Sequence, residues 1–280
     1  MELVETSSSE NDLVGRSRHQ AIPFWDEISS FEQMDETRRF PSMNVSWNNI
    51  NVKIAENERH RGVLRKIARF ARRTGHQKTN VDILNNVHGS ALSGQIMAVM
   101  GPSGAGKTVL MNVLNQTNLR GFSVSGTVRI NGQVIAPGQM RRCAAYVQQD
   151  ELFVGALTVR EHLLFHAALR MGSRYSTKEQ IERVEYIINE LGLKKCENTA
   201  IGVPGITGGL SGGERKRLLF GTEILMDPPI LFCDEPTSGL DTFLAQQVVQ
   251  ILRDLSRTRN MTIVFSIHQP SSQIVQLFDR

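Results

Sequence analysis

Eight consecutive residues have the types and spacing to hold a phosphate. Gly101-Pro102-Ser103-Gly104-Ala105-Gly106-Lys107-Thr108 fits the pattern G-x-x-x-x-G-K-[ST]. Glycines let backbone N–H groups converge on phosphate oxygens, and a helix N-terminus adds partial positive charge. Lys107 has the reach and charge for the β and γ phosphates of a nucleoside triphosphate, and the Thr108 hydroxyl can ligate Mg²⁺. The motif requires a strand before it and a helix after it. Gln95 to Met100 reads as a buried strand and Lys107 to Asn115 as a helix, so the context is met.

A second apolar strand, Ile230-Leu231-Phe232-Cys233, ends in two carboxylates, Asp234 and Glu235. A buried parallel strand delivers its C-terminal residues to the ligand crevice of a doubly wound sheet. Asp234 is placed to hold Mg²⁺, directly or through water, and Glu235 to polarise an attacking water. Phosphoryl transfer needs that pair of roles, a neutralised charge and an oriented nucleophile, rather than covalent chemistry. Between the two motifs lies Leu210-Ser211-Gly212-Gly213-Glu214. Ser before Gly-Gly at a helix start offers a hydroxyl, free N–H groups and the helix dipole, which together make another anion site. In isolation such a segment would be an ordinary capped helix.

Taken together, these three segments resemble the Walker A, signature and Walker B motifs of ATP-binding cassette ATPases. Three further segments fit the same family in order and spacing. Tyr146-Val147-Gln148-Gln149-Asp150 is similar to its Q-loop, with Gln149 at the glutamine position. Ser238-Gly239-Leu240-Asp241 is similar to its D-loop, and Ile267-His268-Gln269-Pro270 to its switch histidine. The wording of Ala98 to Gly101, Leu157 to His162, Ile201 to Gly205 and Asp234 to Asp241 resembles the G subfamily, in its White-like half-transporter branch. The resemblance covers about residues 43–280.

What the resemblance implies can be stated residue by residue. Gly101 to Thr108, with Ser211, Gly212, Gly213 and Asp241, bind ATP. Glu235, His268 and Gln149 are catalytic, and Thr108, Gln149 and Asp234 hold Mg²⁺. The fold is α/β: a P-loop NTPase core with a mixed sheet, an antiparallel β subdomain and an inserted α-helical subdomain at about residues 155–227. The partners are a second cassette, in a homodimer or heterodimer, and a transmembrane domain normally in the same polypeptide. The family's cassette continues past Arg280 into six transmembrane helices, so the chain is expected to be a fragment or truncated product. The full-length protein is then integral to a membrane with this part on the cytoplasmic side, and the fragment alone is cytoplasmic. The implied function is coupling of ATP-driven cassette dimerisation to transport of a small organic substrate. The competing readings are a soluble cassette ATPase not involved in transport and a non-transporting regulatory fragment. One cassette, without heptads or a coiled-coil insertion, favours the first. Family members often stack an aromatic on adenine near the first strand; here the nearest candidates are Trp47 and Val52.

The elements that must position these residues are legible in outline. Val45, Trp47, Ile50 and Val52 mark a strand in Met43–Ile54, and Val81 to Leu84 another. Asn131-Gly132 between Val124–Ile130 and Gln133–Ile135 is a strong hairpin signal. Cys143 to Val147 reads as a strand. Thr158 with Glu161 forms a capping box before an apolar run, and Thr177 to Leu191 reads as an amphipathic helix closed by Gly192. Thr242 to about Arg257 is a helix and Met261 to Ser266 a strand. Met97, Met100 and Met111 read as core.

Composition bounds the rest. The 280 residues are 40% hydrophobic and 21% charged, a globular balance for one or two domains. Three cysteines without paired spacing point to a reducing compartment and exclude a disulfide scaffold. No apolar run approaches the ~20 residues of a membrane-spanning helix. Residues 1–40 carry nine acidic residues against four arginines and read as a disordered, acidic segment before a domain at 41–280. Residues 51–80 carry nine Lys/Arg against two Glu. That block reads as a solvated face, and only Phe70 interleaves with it, so no nucleic-acid partner is expected.

Overall fold

A computed structural model describes residues 42–54, 82–136, 138–149, 152–203 and 205–280. The acidic segment 1–40 and the basic block at 59–78 lie outside the described residues, as do Asp150 of the Q-loop-like segment and Pro204. Two sheets organise what is described. One is antiparallel, in the order β2-β1-β4-β5, built from β1 (Val45–Ile54), β2 (Asp82–Ala91), β4 (Phe122–Ile130) and β5 (Gln133–Val134). The other is parallel, in the order β3-β8-β7-β6, built from β3 (Ile96–Met100), β6 (Ala144–Val147), β7 (Ile230–Cys233) and β8 (Thr262–Ile267).

The antiparallel sheet shows how local chemistry sets register. Along β1 the buried residues are Val45 and Trp47, then Ile50, Val52 and Ile54. The parity changes at a bulge, where Asn49 takes φ 54° and the pairing with β4 slips between Asn48 and Asn51. An extra residue on one strand keeps both halves of the apolar face pointing inward. Gly126 accommodates the bulge, because a Cβ there would meet Asn49 O at 2.4 Å. Asn131 and Gly132, at φ 48° and 80°, form the two-residue turn of the β4–β5 hairpin.

In the parallel sheet β7 and β8 are buried at every residue, as expected of central strands covered on both faces. Helix α1 (Lys107–Leu114) follows β3. A single turn, α2 (Met140–Cys143), precedes β6, so Cys143 is helical and the strand starts at Ala144. Between β6 and β7 lie α3 (Val159–Met171), α4 (Thr177–Glu190) and α5 (Gly212–Glu223). Each starts with the same reciprocal cap: Thr158 with Glu161, Ser176 with Glu179, Ser211 with Glu214. Helix α6 (Thr242–Thr258) leads into β8, and the short α7 (Ser272–Val275) follows it. The inserted helices share one core with the sheet. Leu163, Ile187 and Leu218 belong to the same apolar cluster as Leu231 and Phe265. Arg259, beyond α6, adds a buried ionic tie to Glu190 of α4 and to Asp227.

Met111 is fully buried, Met97 is partly so, but Met100 is 55% exposed. Burial is lost there because β3 lies at the end of the sheet order and Met100 is its last residue before the phosphate loop.

Candidate functional site

All four parallel strands run the same way, so the residues that follow them gather along one edge. Gly101 to Thr108 follow β3, His268 follows β8, Asp234 and Glu235 follow β7, and Gln149 lies two residues past β6. In the sheet these stand in the order β3, β8, β7, β6. The sequence motifs are therefore spread over 168 positions, from Gly101 to His268, and brought together at a single C-terminal edge.

The loop after β3 is shaped for backbone contact. Gly104 and Gly106 take φ 80° and 89°, conformations that glycine adopts without steric cost. A Cβ on Gly106 would also meet Leu84 Cδ2 at 2.8 Å. Gly106 occupies the N-cap of α1, and among the described residues no side chain caps the first amides of that helix. Those amides are orphan donors at the positive end of the dipole, which suits an anion. The buried Lys107 ammonium donates to Gly101 O at 2.9 Å and Pro102 O at 3.2 Å, and lies 3.5 Å from Glu235 Oε1. Thr108, Ser103 and Gly104 are exposed.

At the end of β7 the two carboxylates part company. Asp234 is buried; its N–H donates to Val147 O at 2.9 Å, and its Oδ1 accepts from the Ser266 hydroxyl at 2.6 Å. Glu235 takes φ 46°, unusual for a residue with a side chain. Its N–H donates to Ser266 Oγ at 2.8 Å, and its Oε2 accepts from Gln149 Nε2 at 3.4 Å. The Glu235 carboxylate thus lies between Lys107 and Gln149. The Tyr146 hydroxyl beside Asp234 is buried, with no hydrogen-bond partner among the described residues; burial, and then Asp234, push its pKa well up. The Asp234 oxygen not held by Ser266 is an acceptor, which fits a hydrated divalent cation, the kind of site Mg²⁺ occupies with substrate phosphates. His268 is exposed.

The chain matches the family model described as ABC transporter over residues 84–238, more than half its length. The chain belongs to the ABC transporter family. Its fold is that family's ATPase domain, which implies nucleotide binding. It is 45% identical to "Protein white" of Drosophila melanogaster over 245 residues, 85% of this chain and 36% of that protein. It is 47% identical to "ABC transporter ATP-binding protein/permease wht-1" of Caenorhabditis elegans, over 84% of this chain and 34% of the relative. "ABC transporter G family member 17" of Arabidopsis thaliana is 43% identical over 76% of this chain and 32% of its own length. The chain spans about a third of the length of these relatives. Among the described residues, no helix is long and apolar enough to cross a membrane.

In the segments that resemble the signature and D-loop, Ser238 N donates to Glu235 O at 3.0 Å, while Ser211 and Asp241 serve as helix caps. Ser211 caps α5: its Oγ accepts from Glu214 N at 3.3 Å, while Glu214 Oε2 accepts from Ser211 N and Oγ, each at 2.8 Å. Asp241 caps α6 through Leu244 N at 2.9 Å. Among the described residues, no hydrogen bond or ion pair connects Ser211, Gly212, Gly213 or Asp241 to Lys107, Asp234 or Glu235. These two segments face each other instead, across a cleft of about 280 Å³ lined by Leu210, Gly212, Lys216, Ser238 and Gly239.

The two candidates for an adenine contact lie inside the first sheet's core. Trp47 is 3% exposed, with its ring against Gly89 of the neighbouring strand, and Val52 is fully buried. Both are core, and neither presents a face to a purine. Ser266, which holds both carboxylate residues, was not anticipated. Its signal in the sequence is a lone hydroxyl in the apolar run Ile263-Val264-Phe265-Ser266-Ile267.

Proposed function

We propose that the chain binds Mg²⁺–ATP along the C-terminal edge of the parallel sheet and hydrolyses it. The convergence of Lys107, Gln149, Asp234 and Glu235 carries this reading. In it, the loop amides and Lys107 bind the β and γ phosphates, and Lys107 gives up the carbonyls of Gly101 and Pro102 as it does so. Thr108 and Asp234 would hold the metal, with Gln149 as a further ligand; bound there, Mg²⁺ supplies charge neutralisation at the phosphates. Glu235, steered by Gln149 and by its backbone bond to Ser266, orients a water and takes its proton. His268, next along the edge, is placed to contact the γ-phosphate.

Among the described residues Ser211 and Asp241 make no hydrogen bond to Lys107, Asp234 or Glu235 and cap their own helices, which suits a two-chain site. Amides at the N-terminus of α5 form a second anion site, and that site serves the γ-phosphate if it comes from another cassette. The partner is then a second cassette, the same or a related one. Leu152 and Val154, 84% and 58% exposed just after Gln149, form an apolar step suited to a transmembrane domain. Through that contact hydrolysis drives transport of a small organic substrate at the cytoplasmic side of a membrane. The match to transporters over most of this chain favours this over a soluble ATPase.

The test is Glu235→Gln. It keeps nucleotide binding and lowers turnover by ~10²–10⁴-fold, as loss of a positioned base does. Unchanged hydrolysis would remove Glu235 from the mechanism.

A further inference from the structure

Gln149 and Ser211 sit on separate elements, yet the backbone between them forms one stack. Ile201 N donates to Leu157 O and Gly202 N to Gly155 O, each at 2.9 Å. On the other side Leu210 N donates to Ile201 O at 3.2 Å. The layers touch at backbone distance: a Cβ on Gly209 would meet Ile201 O at 2.3 Å, and one on Gly202 would meet Gly208 O at 2.5 Å. So the segment after Gln149, the strip at 201–202 and the approach to Ser211 are packed without side chains between them.

Arg215 spans this stack. It lies one turn into α5 and is 8% exposed. Its Nη1 donates to Ile201 O at 2.9 Å and Gly202 O at 3.2 Å, and its guanidinium lies 5.2 Å from the centroid of the Phe153 ring. Phe153 comes four residues after Gln149 and meets His162 of α3 edge-on at 5.1 Å. A guanidinium can bond carbonyls along its edge while stacking an aromatic on its face; an ammonium has no such plane.

We propose that Arg215 is a positioning residue that ties the presentation of Ser211 to the segment following Gln149, through Phe153 on one side and the 201–202 carbonyls on the other. A displacement at Gln149 then tilts the N-terminus of α5, and the anion site of one cassette answers to the nucleotide of its own chain. This rests on the reading that the chain hydrolyses ATP.

The experiment uses the 280-residue chain with Arg215→Gln, Arg215→Lys, Phe153→Leu, Phe153→Trp and the Arg215→Gln/Phe153→Leu double variant. Turnover, nucleotide affinity and melting temperature are measured for each. Arg215→Gln and Phe153→Leu each lower kcat by roughly 10-fold, a typical coupling for residues in contact. Nucleotide affinity holds, because the phosphate loop and Lys107 are untouched. The double variant is no worse than the poorer single one. Phe153→Trp keeps kcat because it still offers a ring to the cation. Arg215→Lys, which retains charge and stem, melts like the parent yet turns over like Arg215→Gln, so the proposal stays testable if Arg215→Gln unfolds. Independent, multiplying losses overturn the proposal. So does Phe153→Trp as impaired as Phe153→Leu, or Arg215→Lys at parental turnover. No hydrolysis by the unaltered chain would instead refute the ATPase reading itself.

Discussion

Replacing Ser266 by Ala removes one oxygen atom from the fully buried interior of β8. That oxygen makes two bonds at once: it donates to Asp234 Oδ1 at 2.6 Å and accepts from Glu235 N at 2.8 Å. A hydrogen bond to a charged group contributes ~1.5–3 kcal/mol and an ordinary one ~0.5–1.5 kcal/mol. The variant should therefore lose about 2–4.5 kcal/mol of stability, read as a lower midpoint in urea at unchanged slope. The catalytic consequence is separate. Glu235 is held at φ 46°, a left-handed conformation that costs ~1–2 kcal/mol without support. Freed of its amide anchor, Glu235 can relax away from Gln149 and Lys107, and a shift of ~1 Å at such a group can cost ~10²-fold in rate. Turnover should fall by ~10–100-fold. Nucleotide affinity measured without Mg²⁺ should not change, since it depends on the loop and Lys107. A folded Ser266→Ala protein hydrolysing ATP at the parental rate would refute the assignment of Ser266 as the support for Glu235.

Two further outcomes follow from other parts of the molecule. Gly106→Ala must adopt φ 89° and place its Cβ 2.8 Å from Leu84 Cδ2; it should cost about 1–3 kcal/mol and abolish nucleotide binding, checked by thermal melting and fluorescence titration. His162 is buried against Phe153 with Nε2 on Thr222 Oγ1, and burial, with smaller contributions from His166 and Arg170, lowers its pKa to about 4. The unfolded chain takes up that proton near pH 6.5 and the folded one only near 4, so stability is present above about 6.5 and is lost as the pH falls toward 4. Urea midpoints at pH 7.5 and 5.0 should differ less in His162→Gln than in the parent; an equal difference would show that another group dominates.

What could be read from the residues alone follows a physical division. The phosphate loop is local: eight adjacent residues carry their own geometry, since Gly104 and Gly106 need no distant partner to reach positive φ. The hairpin at Asn131-Gly132 and the cap at Thr158 are legible for the same reason. The β1 bulge is legible only in part: Asn48-Asn49 breaks the alternation between Trp47 and Ile50, but the room for the extra residue comes from Gly126 of another strand. Trp47 is likewise placed by a distant neighbour. An aromatic near the first strand invites a role in binding adenine, but its burial depends on Gly89, a neighbour supplied only by sheet pairing.

The catalytic edge belongs to both categories. Each of its motifs can be recognised locally, yet what orients them is not local. Asp234 and Glu235 are held by Ser266, more than thirty positions away, and Arg215 bonds the carbonyls of Ile201 and Gly202, against which Leu210 and Gly209 pack. A hydroxyl in a buried strand and an arginine after a glycine pair are ordinary residues until the parallel sheet and the 201–210 stack bring their partners into reach. The groups proposed to touch phosphate are therefore the ones written most openly in this chain. The groups that hold them are visible only in the fold, and substitutions there should separate turnover from nucleotide binding, where substitutions in the loop should lose both.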